Sequence, residues 1–145
     1  MPATRRLASC LCLSLLPLTA LADPATVAEL RAAGATALNS GQVRQLLPKA
    51  EVVSMAETGM ERRWVNLDDG SFVARASNPR LPKAPAQSGA GTWSIDDRGA
   101  YCVNIDWFTR KEAWCQFVFS LGDRHYISVS QVNPEARVAA IQVNR

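Results

Sequence analysis

The sequence holds a single histidine, His125, among its 145 residues, and no Cys-x-x-Cys or Cys-x-x-Cys-His spacing occurs. Those shortages exclude a c-type haem and a thioredoxin-like redox centre, and leave too few ligands for a His/Cys zinc site. The glycines at 89, 91 and 99 do not make a Walker or Rossmann spacing, so no phosphate-cradling loop is encoded. Charge of one sign is also scarce: 16 Lys and Arg stand against 13 Asp and Glu, too small an excess for nucleic-acid binding. After residue 22 no apolar run approaches the ~20 residues that a spanning helix needs. Asp123 and His125 share a strand face, but no serine or cysteine nucleophile accompanies them. The expectation is a protein without cofactor, metal or catalytic residues: not an enzyme, and with no membrane span in its mature part.

What is present begins with an export signal. Arg5 and Arg6 precede the apolar stretch Leu7 to Leu21, which ends in the small-x-small pattern Ala20-Leu21-Ala22. This predicts a signal peptide over residues 1–22, cleaved near Ala22, and a periplasmic or secreted product. Cleavage leaves 123 residues, with 14 basic against 13 acidic side chains because the leader carries two arginines and no acid. Cys10 and Cys12 depart with it. Cys102 and Cys115 remain, an even number in an oxidising compartment, which predicts one disulfide. A chain of this length forms about one domain, here residues 23–145.

Residues 23–48 read as a helical lead-in. Asp23 with Pro24, or Thr26 with Glu29 as a capping box, starts one short helix that ends near Gly34. A second starts at Ser40, places Val43, Leu46 and Leu47 on one face, and stops at Pro48. Both are expected to pack over one end of a sheet. From Glu51 onward the pattern is of strands. Residues 62–67 and 71–76 flank the hairpin signal Asp69-Gly70. Residues 77–90 form a long Pro/Ser/Gly-rich loop, in which proline at 79, 82 and 85 favours polyproline II. Further strands are predicted over 92–95, 101–107, 114–121, 126–132 and 138–143, separated by turn signals. The fold class is therefore mainly β: a small antiparallel barrel or sandwich with one or two short N-terminal helices and one disulfide. Pairing Cys102 with Cys115 sets Val103 opposite Trp114 and Asn104 opposite Ala113, with the turn at Phe108-Thr109.

The order Leu46-Leu47-Pro48, Trp64, Asp69-Gly70, Gly91-x-Trp93, Tyr101-Cys102 and Trp114-Cys115-Gln116-Phe117 resembles a proteobacterial family of small exported proteins catalogued only as a domain of unknown function. The resemblance covers roughly residues 38 to 130 and implies a secreted, disulfide-bonded β domain without supplying an activity. Gly91-Thr92-Trp93 with Cys102 beyond it is also similar to the small secreted barrels that inhibit bacterial metalloproteases, and to the Gly-x-Trp of lipocalins. Those families place the motif near the start of the barrel.

The candidate binding residues are Trp107, Phe108, Arg110 and Lys111, two aromatics and two cations on a stapled turn, of the kind enriched at protein interfaces. A tip folded back onto the barrel mouth is the alternative. The carboxylate pairs Asp68-Asp69 and Asp96-Asp97 sit beside turn glycines and read as turn formers. The expected function is a non-enzymatic binding module for a protein partner or a small apolar ligand. One form is an inhibitor of a secreted or host enzyme acting through the 107–111 tip; a hydrolase using His125 ranks last.

Overall fold

A computed structural model describes residues 22–145 of the chain; the predicted leader lies, but for Ala22, outside the described residues. Of the two helix starts legible in the sequence, the second forms. Thr26 caps helix α1 (Val27–Ala32), its hydroxyl accepting from the Glu29 N–H at 3.3 Å while the Glu29 carboxylate accepts from the Thr26 N–H at 3.2 Å. Gly34, at φ 95°, follows the helix end. Helix α2 (Ser40–Leu46) carries the same device in Asn39 and Gln42.

The strands are β1 (Thr36–Ala37), β2 (Glu51–Met55), β3 (Glu61–Val65), β4 (Ser71–Ser77), β5 (Gln87–Ile95), β6 (Tyr101–Trp107), β7 (Arg110–Leu121), β8 (Arg124–Ser128) and β9 (Val138–Asn144). All pairings are antiparallel. Consecutive strands β2 to β9 pair in turn, and β9 returns to β2, so eight strands close into a barrel. The short β1 lies against β7, with Thr36 opposite Ser120. The protein is thus a mainly β, eight-stranded antiparallel barrel with two helices and one disulfide.

Alternation sorts the side chains. Tyr101, Val103, Ile105 and Trp107 on β6 point inward, as do Trp64 on β3 and Phe72, Ala74 and Ala76 on β4. These side chains, with Val118, Ile127 and Ile141, fill the barrel axis. Inside it the Trp64 indole donates to the Tyr101 hydroxyl at 2.9 Å and to Asn66 Oδ1 at 3.1 Å, and Asn66 Nδ2 donates to the Leu47 carbonyl at 3.1 Å. This buried network is satisfied by its own members. Through Val43 and Leu47, α2 plugs the end of the barrel where β3 leaves for β4. Helix α1 does not pack over that end. Its Val27 and Leu30 pack on the outer wall with Phe119 and Tyr126, where alternation along β7 and β8 leaves an apolar outer stripe.

The disulfide forms in the register that the sequence predicts: Cys102 faces Cys115, Val103 faces Trp114 and Asn104 faces Ala113. The Cα atoms are 4.0 Å apart and the bridge sits on the outer face, out of phase with Tyr101 and Val103.

Three boundaries differ from expectation. The 77–90 loop is shorter, because β5 begins at Gln87 and keeps pairing with β4 as far as Ala76. Gly91 and Gly89 look like loop residues in sequence but are strand residues with a packing reason. A Cβ at Gly91 would lie 2.1 Å from the Phe72 ring, and one at Gly89 would lie 2.8 Å from the Trp107 ring. What remains of the loop makes two successive turns, with Leu81 N–H on the Asn78 carbonyl and Ala84 N–H on the Leu81 carbonyl, each 2.9 Å, rather than polyproline II. Strand β8 stops at Ser128, beyond which the Ser130 hydroxyl accepts from the Asn133 N–H at 3.0 Å and turns the chain. Strand β7 starts early, at Arg110, since the hairpin turn is only Phe108 and Thr109.

No helix among the described residues is long and apolar enough to cross a membrane. On the outer wall Arg63, Arg75, Asn104, Asp106 and Lys111 are exposed, where an outer-membrane barrel carries an apolar band.

Candidate functional site

The barrel has two unlike ends. Tight turns at 68–70, 96–99 and 122–123 lie at the α2 end. By strand alternation the β2–β3 turn, the β4–β5 loop (78–86), the β6–β7 turn (Phe108–Thr109) and the β8–β9 loop (129–137) gather at the other, here termed the loop end. Binding surfaces concentrate on loops that a rigid scaffold positions.

The hairpin that carries the candidate residues divides at its turn. Trp107 is the last inward position of β6 and is 2% exposed, so it belongs to the core and not to an exposed aromatic patch. Its indole donates to Glu112 Oε2 at 3.2 Å, and the Arg110 guanidinium lies 5.8 Å from its ring centroid. Phe108, one residue on, is 101% exposed. Arg110 and Lys111 are exposed too, and Lys111 pairs with Asp106 at 3.5 Å. Of the four residues, Phe108, Arg110 and Lys111 are on the surface and Trp107 braces them from inside.

Sequence reasoning passed over the group that closes this end. Arg62 on β3 and Glu112 on β7 form an ion pair, and these strands stand opposite each other in the eight-strand order, so the pair spans the barrel. Their side chains are 17% and 21% exposed. Arg110 approaches the same carboxylate at 4.0 Å. Burial, aided by the Arg110 charge, lowers the pKa of the Arg62 guanidinium. Arg62 Nε is buried without a hydrogen-bond partner among the described residues. The signal was in the strand parity: Arg62 shares a face with Trp64, and Glu112 with Trp114.

No protein-family model, curated protein or solved structure matches the chain.

The remaining polar candidates have local explanations. His125 lies at the α2 end, on β8 opposite Ser120 and Ile141, half-buried. Burial pushes its pKa down and the Asp123 charge opposes that. Among the described residues no three His, Cys, Asp or Glu side chains cluster in a way that could hold a metal ion. Asp69 accepts from the Ser71 hydroxyl and N–H at 2.7 and 2.9 Å, and Asp96 from the Ala100 and Arg98 N–H groups at 2.8 and 3.0 Å. Those bonds hold both carboxyls below their ordinary pKa, chiefly through Ser71 and Ala100 respectively. These are turn-closing aspartates. A groove of about 430 Å³ runs on the outer wall over Val53, Met55, Tyr126 and Gln142, with Asp23 and Arg124 paired at its rim at 2.9 Å.

Proposed function

We propose that the protein is an exported, non-enzymatic interaction module that engages its partner through the loop end of the barrel. The observation that carries this reading is Phe108, wholly exposed at the tip of a disulfide-held hairpin whose inner neighbour Trp107 is locked in the core. The disulfide-held hairpin fixes the backbone that presents this large apolar side chain, which lowers the ordering cost of binding. Export rests on the leader pattern over residues 1–22 and on the disulfide, and the likeness to small exported proteins points the same way. The inhibitor form, with the narrow hairpin entering an enzyme cleft, is a special case of this reading. The filled barrel axis argues against an internal site for a small apolar ligand.

The test is site-specific photo-crosslinking in the producing host, with a benzophenone amino acid at Phe108 or, at the opposite end, at Asp97. A discrete adduct, to protein or lipid, is expected from position 108 and not from 97. Equal adducts from both positions, or adducts from 97 alone, would overturn the reading.

A further inference from the structure

We infer that the surface met by the loop end is an anionic phospholipid bilayer, and this rests on the reading above. Two independent features of that end point to it. The first is the distribution of its apolar side chains. Of the eight large apolar residues exposed among the described residues, Leu81 at 59%, Phe108 at 101%, Val129 at 68% and Val132 at 86% lie in the loops of this end. They come from three separate loops spaced around the rim. A lipid interface can take up several separate apolar tips at once, with binding that scales with the apolar area buried and with attraction to anionic lipid.

The second is charge. Between Gly70 and Ile95 the sequence has three cations, Arg75, Arg80 and Lys83, and no acid. None of the three joins an ion pair among the described residues. Arg110 starts β7, in the hairpin that follows β5 in strand order, and shares Glu112 with Arg62. Of the acids of this end, Glu57 pairs with Arg137, Glu61 with Arg63, Asp106 with Lys111 and Glu112 with Arg62, and Glu135 alone joins no ion pair among the described residues. The tight turns of the α2 end carry five aspartates instead; Asp68 pairs with Lys49 and Asp96 with Arg98, which leaves Asp69, Asp97 and Asp123 without an ion pair among the described residues. A near-neutral molecule is therefore polarised along its barrel axis, cationic and apolar where the loops are, anionic where the turns are. A negative lipid surface attracts the first end and repels the second, so the molecule arrives loop end first.

The experiment is flotation of the protein, as its host produces it, with vesicles of phosphatidylglycerol and phosphatidylcholine in equal parts, against vesicles of phosphatidylcholine alone. Co-flotation with the anionic vesicles only, reversed by high salt, is expected. Arg80→Gln combined with Lys83→Gln should weaken it by roughly thirtyfold, at the strength usual for surface cations. Phe108→Ala should weaken it by roughly tenfold or more, from the lost insertion of one aromatic ring. Asp97→Asn, at the far end, should not weaken it. Equal flotation on both vesicles, or Arg80→Gln/Lys83→Gln and Phe108→Ala variants that float like the parent, would overturn the inference. Absence of flotation together with a protein adduct at position 108 would overturn the lipid partner while leaving the loop-end reading intact; absence of both would overturn the two together.

Discussion

Alkali should destabilise this protein through one phenol. The Tyr101 ring is wholly buried, packed edge-on between Trp93 and Trp114, and its hydroxyl sits in the Trp64–Asn66 network. Burial pushes its pKa up to about 12, against the smaller downward pull of the bonds from Trp64 and with Asn66. The unfolded chain titrates the same phenol near 10. Because the folded value is the higher, the stabilisation is fully present below pH 10 and is lost as pH rises through 12: the unfolded state ionises first and is favoured. A two-unit gap corresponds to about 3 kcal/mol at the limit, and about 1 kcal/mol is already lost between pH 9 and 11. The assay is urea denaturation at pH 9, 10 and 11 for the parent and for Tyr101→Phe. The phenylalanine variant should be less stable by about 1–3 kcal/mol at pH 9, since the hydroxyl's bonds from Trp64 and to Asn66 are both lost while Trp64 and Asn66 keep the bond between them. It should then lose less stability on going to pH 11, and the difference between the two slopes isolates Tyr101 from every other titrating group. Tyr126, also raised by burial, is common to both proteins and cancels. Identical pH slopes would refute the argument, as would an absorbance titration in which both tyrosines ionise near pH 10.

Trp107→Ala should lower stability by about 3–5 kcal/mol, whereas Phe108→Ala should stay within about 0.5 kcal/mol of the parent; thermal melts of the two variants check the contrast. Removing one partner of the half-buried Arg62–Glu112 pair, by Arg62→Met or Glu112→Leu, should cost about 2–4 kcal/mol, and the double variant should recover part of that loss in a chemical denaturation cycle. Gly91→Ala should destabilise by about 1–3 kcal/mol, since the added methyl meets the Phe72 ring, and Phe72→Leu in the same chain should relieve part of that.

Much of the barrel could be read in advance where two constraints coincide. On β6 and β7 the cysteine pair fixes the register and the alternation of Tyr101, Val103 and Trp114 agrees with it, so the predicted pairing is the observed one. The start of β5 was hidden because its inward positions are glycines. Their role depends on Phe72 and Trp107, which lie in other strands, and no local pattern reports a ring arriving from a neighbour. Strand β1 is two residues long and carries no period to read. Treating 107–111 as one patch failed on parity alone: counting in twos from Tyr101 puts Trp107 inside. Arg62 and Glu112 were passed over because charged residues on strands are assumed to face water, and only closure of the barrel brings β3 and β7 across from each other.

The pairing of β2 with β9 constrains the order in which this molecule can come into being. Glu51 faces Asn144 and Val52 faces Val143, so the first strand of the barrel closes on its last strand. A ribosome or a translocation channel still holding the final strand holds the barrel open between β2 and β8. Hairpins such as β6–β7 can form as they emerge; the closed wall cannot. In a chain threaded through a channel unfolded, β9 would meet β2 only after both had passed to the far side. Folding before export would give an object too wide for a channel that threads extended chains.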